Sequence, residues 1–131
     1  MPDPTPSAQV TALLHAGLLV SDLARARGFY ESVLGLALYP NRPDLPYPGA
    51  WYDLGGGQQL HLMQLPNPDV ASVRPGHGGR DRHVALGVGN MAALKSRLDA
   101  AGVNYTASQS GRTALFCRDP DMNTLEFVEV G

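Results

Sequence analysis

The feature that most constrains this chain is that it is written twice. Arg82-His83-Val84-Ala85-Leu86-Gly87-Val88-Gly89-Asn90 repeats the chemistry of Leu14-His15-Ala16-Gly17-Leu18-Leu19-Val20-Ser21-Asp22. His15 and His83 lie 68 positions apart, as do Val20 and Val88, and Leu23 and Met91. The offset is 67 between Gly35 and Gly102, and 65 between His61 and Glu126. A duplicated unit that cannot bury its own apolar face needs its twin to complete a core, so both halves are expected in one domain. The reading is a short disordered tail over 1–10 and a single domain over 11–131. Within that domain, module one covers 11–65, a connector 66–81, and module two 82–131.

Local pattern gives each half the same plan. Ala12 to Val20 alternates as a strand, with Ala16, Leu18 and Val20 on one face and His15, Gly17 and Leu19 on the other. Asp22 can cap a helix whose apolar residues Leu23, Ala26, Phe29, Tyr30, Val33 and Leu34 recur at three- and four-residue intervals, and Gly35 sits where a left-handed cap belongs. A short strand over Leu36 to Tyr39 runs into a proline-rich loop, and Ala50 to Leu54 and Gln58 to Gln64 form a hairpin across Gly55-Gly56-Gly57. In module two, His83 to Val88 is a strand and Asn90 caps a helix that ends at Gly102. Strands follow over Val103 to Ser108, Thr113 to Arg118 and Thr124 to Val130. The fold class predicted is α+β: two tandem βαβββ modules forming a curved mixed sheet, with helices on its outer face.

Composition narrows the function. With 131 residues, 44% hydrophobic and 17% charged, the chain has the size of one globular domain. The net charge of −2 and the lack of a basic run argue against nucleic acid. No apolar run approaches the roughly 20 residues that span a bilayer, so no membrane partner is expected. A single cysteine, Cys117, permits no intrachain disulfide and fits a reducing, cytoplasmic compartment. Nothing around Cys117 would activate a thiol, and it reads as a small buried strand residue.

The chemistry lies in the phase of the strands. With the apolar residues of each first strand under the helices, His15 and His83 share the opposite face with small neighbours. In the last strand of each half, Leu60 and Leu62, or Leu125 and Phe127, take the apolar face and leave His61 and Glu126 opposite. A curved sheet made of both halves would bring the four together. Three imidazoles and a carboxylate suit a divalent transition metal with positions open to water or substrate.

These residues resemble the vicinal oxygen chelate superfamily, which includes glyoxalase I, extradiol dioxygenases, fosfomycin-resistance proteins and bleomycin-binding proteins. The resemblance is carried by His15 with Asp22-Leu23, by Phe29-Tyr30 and Val33-Leu34-Gly35-Leu36, and by Leu60-His61-Leu62. In the second half it is carried by Arg82 to Leu86, by Arg118-Asp119-Pro120-Asp121 with Asn123, and by Leu125-Glu126-Phe127. It covers most of Leu14 to Glu129. It implies a metal held by His15, His61, His83 and Glu126, with zinc, nickel, manganese or iron as the ion and Glu126 as catalytic base. The metal would act as a Lewis acid on two neighbouring oxygens of a small-molecule substrate. Two departures stand out. His61 occupies a place that glyoxalase I commonly gives to glutamate, and Met122 follows Asp-Pro-Asp where the family's turn usually continues with glycine.

The favoured activity is a glyoxalase I-type lyase or isomerase acting on a small dicarbonyl adduct. An iron(II) ring-cleaving dioxygenase using His15, His83 and Glu126, and a metal-free binding protein of the bleomycin-resistance type, stand as alternatives. The resemblance also implies a homodimer, in which the two modules of a site come from one chain or from two. Tyr47, Trp51 and Tyr52 are candidate walls for a substrate. Arg42, Arg74, Arg80, Arg82 and Arg112 read mainly as surface charges, and His77 as a loop residue outside the repeat.

Overall fold

The computed structural model describes residues 4–69 and 73–131. Residues 1–3 of the expected tail and 70–72 of the expected connector lie outside the described residues. The element order is β1 (His15–Val20), α1 (Leu23–Arg27), a π-helical segment (Gly28–Val33), β2 (Gly49–Gly55), β3 (Gln58–Gln64), a 3-10 turn (Gly78–Arg80), β4 (Val84–Val88), α2 (Met91–Ala100), β5 (Tyr105–Ala107), β6 (Ala114–Arg118) and β7 (Thr124–Glu129).

The α+β class and the two modules are as the repeat predicts, built as two mixed sheets with strand orders β1-β3-β2 and β4-β7-β6-β5. In each, the first strand runs parallel to the last and forms one edge, while the remaining pairs are antiparallel. No ladder joins β1 to β4. The strand expected over Leu36 to Tyr39 shrinks to one bridge, Leu38 to Tyr52, plus a bond from Tyr39 N to Trp51 O.

The caps fall where expected. Asp22 Oδ1 accepts from Arg25 N at 3.1 Å and Asn90 Oδ1 from Ala93 N at 2.9 Å. Gly35 and Gly102 take φ of +78° and +69° after their helices, a conformation that costs glycine nothing. The first helix, expected as one α-helix, widens at Gly28, with Leu34 N reaching Phe29 O, five residues back. The wider turn allows the consecutive Phe29 and Tyr30 both to face inward.

One apolar cluster runs through both modules. Tyr30, Tyr52, Leu60 and Leu62 from the first and Leu98, Leu115 and Leu125 from the second are fully or almost fully buried in it. The modules are also stitched by hydrogen bonds from the turn between β6 and β7. Tyr30 OH donates to Asp119 Oδ2 (2.8 Å), Ser21 N and Oγ to Asp121 Oδ1 (3.0 and 2.6 Å), and Asn123 Nδ2 to Leu19 O (2.9 Å). Met122 sits in this turn with φ of +66°, a conformation that favours glycine. Cys117 is buried in β6, and burial pushes its thiol up to about 12, so it is a core residue rather than a nucleophile. Among the described residues no helix is long and apolar enough to cross a membrane.

Candidate metal centre

His15 and His61 are brought together by the parallel pairing of β1 and β3. His61 lies opposite Gly17, which has no side chain, so the His15 ring two residues earlier can lean across onto it. The two rings stack with centroids 4.1 Å apart and planes 16° from parallel. On the antiparallel side Trp51 is directly opposite His61, and their rings stack at 3.9 Å and 2°. His61 is therefore held between indole and imidazole, with its Nε2 2.9 Å from Gln59 Oε1. Burial, then the charges of His15 and Arg42, push its imidazolium down to about 4. At neutral pH His61 is an uncharged imidazole, the form that binds a metal.

The second pair comes from the parallel pairing of β4 and β7. Glu126 lies opposite Ala85 and Phe116, and is 3% exposed. His83, just before β4, places Nε2 at 3.4 Å from Glu126 Oε1. Its Nδ1 is 2.8 Å from the carbonyl of Asp81. A carbonyl can only accept, so Nδ1 carries the proton and Nε2 of the neutral ring carries the lone pair. The other carboxylate oxygen of Glu126 accepts from Arg112 Nη2 at 2.9 Å. Phe116 meets the His83 ring edge-on at 5.1 Å and floors the site.

The strand phase read from the sequence is the phase observed. Leu60, Leu62, Leu125 and Phe127 are buried in the core, with His61 and Glu126 on the opposite faces. The structure brings His15 to His61 and His83 to Glu126. It does not bring the two pairs together within one chain: among the described residues no three His, Cys, Asp or Glu side chains are placed to hold one metal ion. The physical reason is the missing β1–β4 ladder. The two pairs belong to separate sheets, and a convergence that assumed one continuous sheet is not reached in a single copy.

Several residues of the site lie outside the four positions read from the repeat. Arg112 arrives from the turn before β6, outside the repeat. Trp51 is a wall of the first pair, whereas Tyr52, on the other face of β2, is fully buried in the core. His77, expected to be solvated, is half-buried, with Nδ1 2.9 Å from Thr106 Oγ1 and its ring edge-on to Phe116 at 5.1 Å. His77, Arg80, His83, Arg112, Phe116 and Glu126 all line one hollow of about 280 Å³ on sheet two. Arg74 is paired with Asp81 rather than free.

The donors fit a divalent cation. Glu126 Oε1 and His83 Nε2 face each other at 3.4 Å, so that one cation could engage both atoms. Imidazole nitrogens with one carboxylate oxygen are borderline ligands of the kind zinc, nickel, manganese and iron accept.

Two repeated modules, each with its first strand parallel to its last and antiparallel strands beyond, define the class. The profile of the Glyoxalase/Bleomycin resistance protein/Dioxygenase superfamily matches residues 12–127, and the chain belongs to that superfamily. Among its relatives, the lactoylglutathione lyase of Haemophilus influenzae is 32% identical over 125 residues, covering 89% of this chain and 91% of that one. A putative glyoxalase family protein from Bacillus anthracis has the same fold, with a TM-score of 0.73 at 21% identity over 96% of this chain and all of that one. So does TnmS3, an antibiotic binding protein from Streptomyces, with a TM-score of 0.71 at 20% identity over 95% of this chain and all of that one.

Proposed function

We propose that this protein is a metal-dependent enzyme of glyoxalase I type, a lyase or isomerase acting on a small dicarbonyl adduct. Its ligands are His15, His61, His83 and Glu126, and its base is Glu126. The observation that carries the reading is the facing pair of His83 Nε2 and Glu126 Oε1, 3.4 Å apart, with His83 Nδ1 committed to a carbonyl. The similarity to a lactoylglutathione lyase supports this activity over ring cleavage.

Because each module supplies only two donors, the full set requires a second copy of the chain. In a homodimer, His15 and His61 of one protomer would face His83 and Glu126 of the other, with β1 and β4 as the free edges available to meet. When bound, the metal would supply Lewis acidity to two adjacent substrate oxygens. The chain's own residues do the rest. Arg112 holds Glu126 Oε2 and so leaves Oε1 directed at the substrate side. Burial keeps water from competing with the substrate for that carboxylate, which takes a proton from one carbon of the adduct and returns it to the neighbouring carbon. Trp51 and His15 on either side keep the His61 ring from turning.

The test is elemental analysis of untagged protein beside a His83→Ala/Glu126→Ala variant, with lactoylglutathione formation as the assay. Stoichiometric metal and activity are expected in the wild type and neither in the variant. Mixing that variant with His15→Ala/His61→Ala should restore about a quarter of the wild-type sites, since a random mixture of dimers holds one intact site per heterodimer. A wild type that binds no metal after reconstitution refutes the enzyme reading and leaves a binding protein. Failure of the mixture to recover activity refutes the shared site.

A further inference from the structure

The connector between the modules is tied down more firmly than a surface loop requires. Asp81, near its end, takes Arg74 Nε at 2.6 Å and Arg118 Nη1 at 2.8 Å on the same carboxylate oxygen, with Thr124 Oγ1 at 3.3 Å. Its other oxygen accepts from Arg82 N at 2.8 Å. The three charged side chains are only 9 to 16% exposed. Burial alone would raise the Asp81 carboxyl, but the Arg74 and Arg118 guanidinium groups hold it well below the usual carboxylate range. Arg118 also donates to Pro75 O, so the strand β6 grips the connector at Pro75 as well as at Asp81. Between them Gly78 lies so close to sheet two that an added Cβ would stand 2.6 Å from Thr124 Cγ2 and 3.0 Å from Phe116 Cβ.

An ion pair this far from water gains little net stability, because desolvation offsets most of the attraction. What it does fix is position. Arg118 and Thr124 stand on the strands that flank and carry Glu126, and the main-chain carbonyl of the clamped Asp81 is the group bonded to His83 Nδ1. We propose that Asp81 is a positioning residue: its clamped carboxylate sets its own carbonyl, which decides that His83 carries its proton on Nδ1 and offers Nε2 toward Glu126. The consequence for metal affinity rests on the metal reading above; the tautomer does not.

The experiment uses metal-free, full-length protein labelled with ¹⁵N-histidine, with His83 signals assigned through His83→Gln. Long-range nitrogen–proton spectra of the wild type should show the Nδ1–H form. In Asp81→Asn the His83 signals should shift toward a mixture containing Nε2–H, and zinc affinity, measured by competition with a chromogenic chelator, should fall about tenfold or more. Asp69→Asn removes the exposed pair with Arg82 in the same connector and should leave both readouts unchanged. If Asp81→Asn does not fold, Arg74→Gln keeps the Arg118 bond and should move the tautomer in the same direction by less. A folded Asp81→Asn, or Arg74→Gln in its place, with the wild-type His83 spectrum overturns the proposal. Wild-type protein that binds no zinc, beside an Asp81→Asn variant that shows the tautomer shift, would sink the metal reading and leave the clamp standing.

Discussion

Tyr30 offers the sharpest test of how the two modules are held together. Its side chain is fully buried in the first module, and its hydroxyl donates to Asp119 Oδ2 of the second at 2.8 Å. Asp119 is 4% exposed, and its remaining bonds come from Asp121 N, Asn123 N and Asn123 Nδ2, each at 2.9 Å. Tyr30→Phe keeps the ring contacts with Phe29 (5.1 Å, edge-on) and Tyr52 (6.0 Å), so packing is conserved and one hydrogen bond is lost. A bond to a charged acceptor is worth about 1.5–3 kcal/mol, and here its loss leaves Oδ2 with a single donor in a site that water does not reach. For a domain of this size that corresponds to a fall in Tm of about 5–10 °C. Urea unfolding of both proteins at neutral pH should show a lower midpoint with an unchanged slope. A loss below about 0.5 kcal/mol would refute the claim that the Asp119 turn joins the modules through a bond of this strength.

Two further outcomes follow from particular residues. Met122 holds a φ of +66° and is 49% exposed, so Met122→Gly removes left-handed strain of about 1–2 kcal/mol, partly offset by the greater freedom of an unfolded glycine. A net gain of about 0.5–1 kcal/mol in urea unfolding is expected, and a net loss would show that the methionine side chain contributes more than its strain costs. The second concerns His61, whose folded-state value of about 4 lies below its ordinary 6.5, so the unfolded chain binds that proton first. Stability from this group is complete above about 6.5 and declines as pH falls toward about 4, so His61→Gln should flatten the dependence of the urea midpoint across that window. Equal slopes for the two proteins would contradict the burial of a neutral ring.

Much of the fold was legible because its rules are local. The alternation of Ala16, Leu18 and Val20 against His15 and Gly17, and of Leu60 and Leu62 against His61, depends only on the two-residue period of a strand. The helix caps at Asp22, Asn90, Gly35 and Gly102 depend on one turn of chain. The widening of the first helix at Gly28 was not legible, since an α and a π turn share the same apolar spacing over so few residues. Nor was the loss of a strand at Leu36 to Tyr39, which turns on how little of that segment can reach β2.

What the sequence by itself determined is which side chains could form a site. Two copies of one unit put His15 and His61, and His83 and Glu126, at equivalent places, and the pleat sends each away from the core. What only the tertiary structure decided is what those side chains meet. Trp51 comes to His61 across an antiparallel ladder, Arg112 to Glu126 from a turn, and Asp81 to His83 through a connector held by Arg74 and Arg118. The structure likewise divides the four donors into two pairs, because β1 and β4 end as separate sheet edges. Periodicity acts between neighbours along one strand, whereas these partners meet through pairing register, turn direction and edge position, which depend on the whole chain.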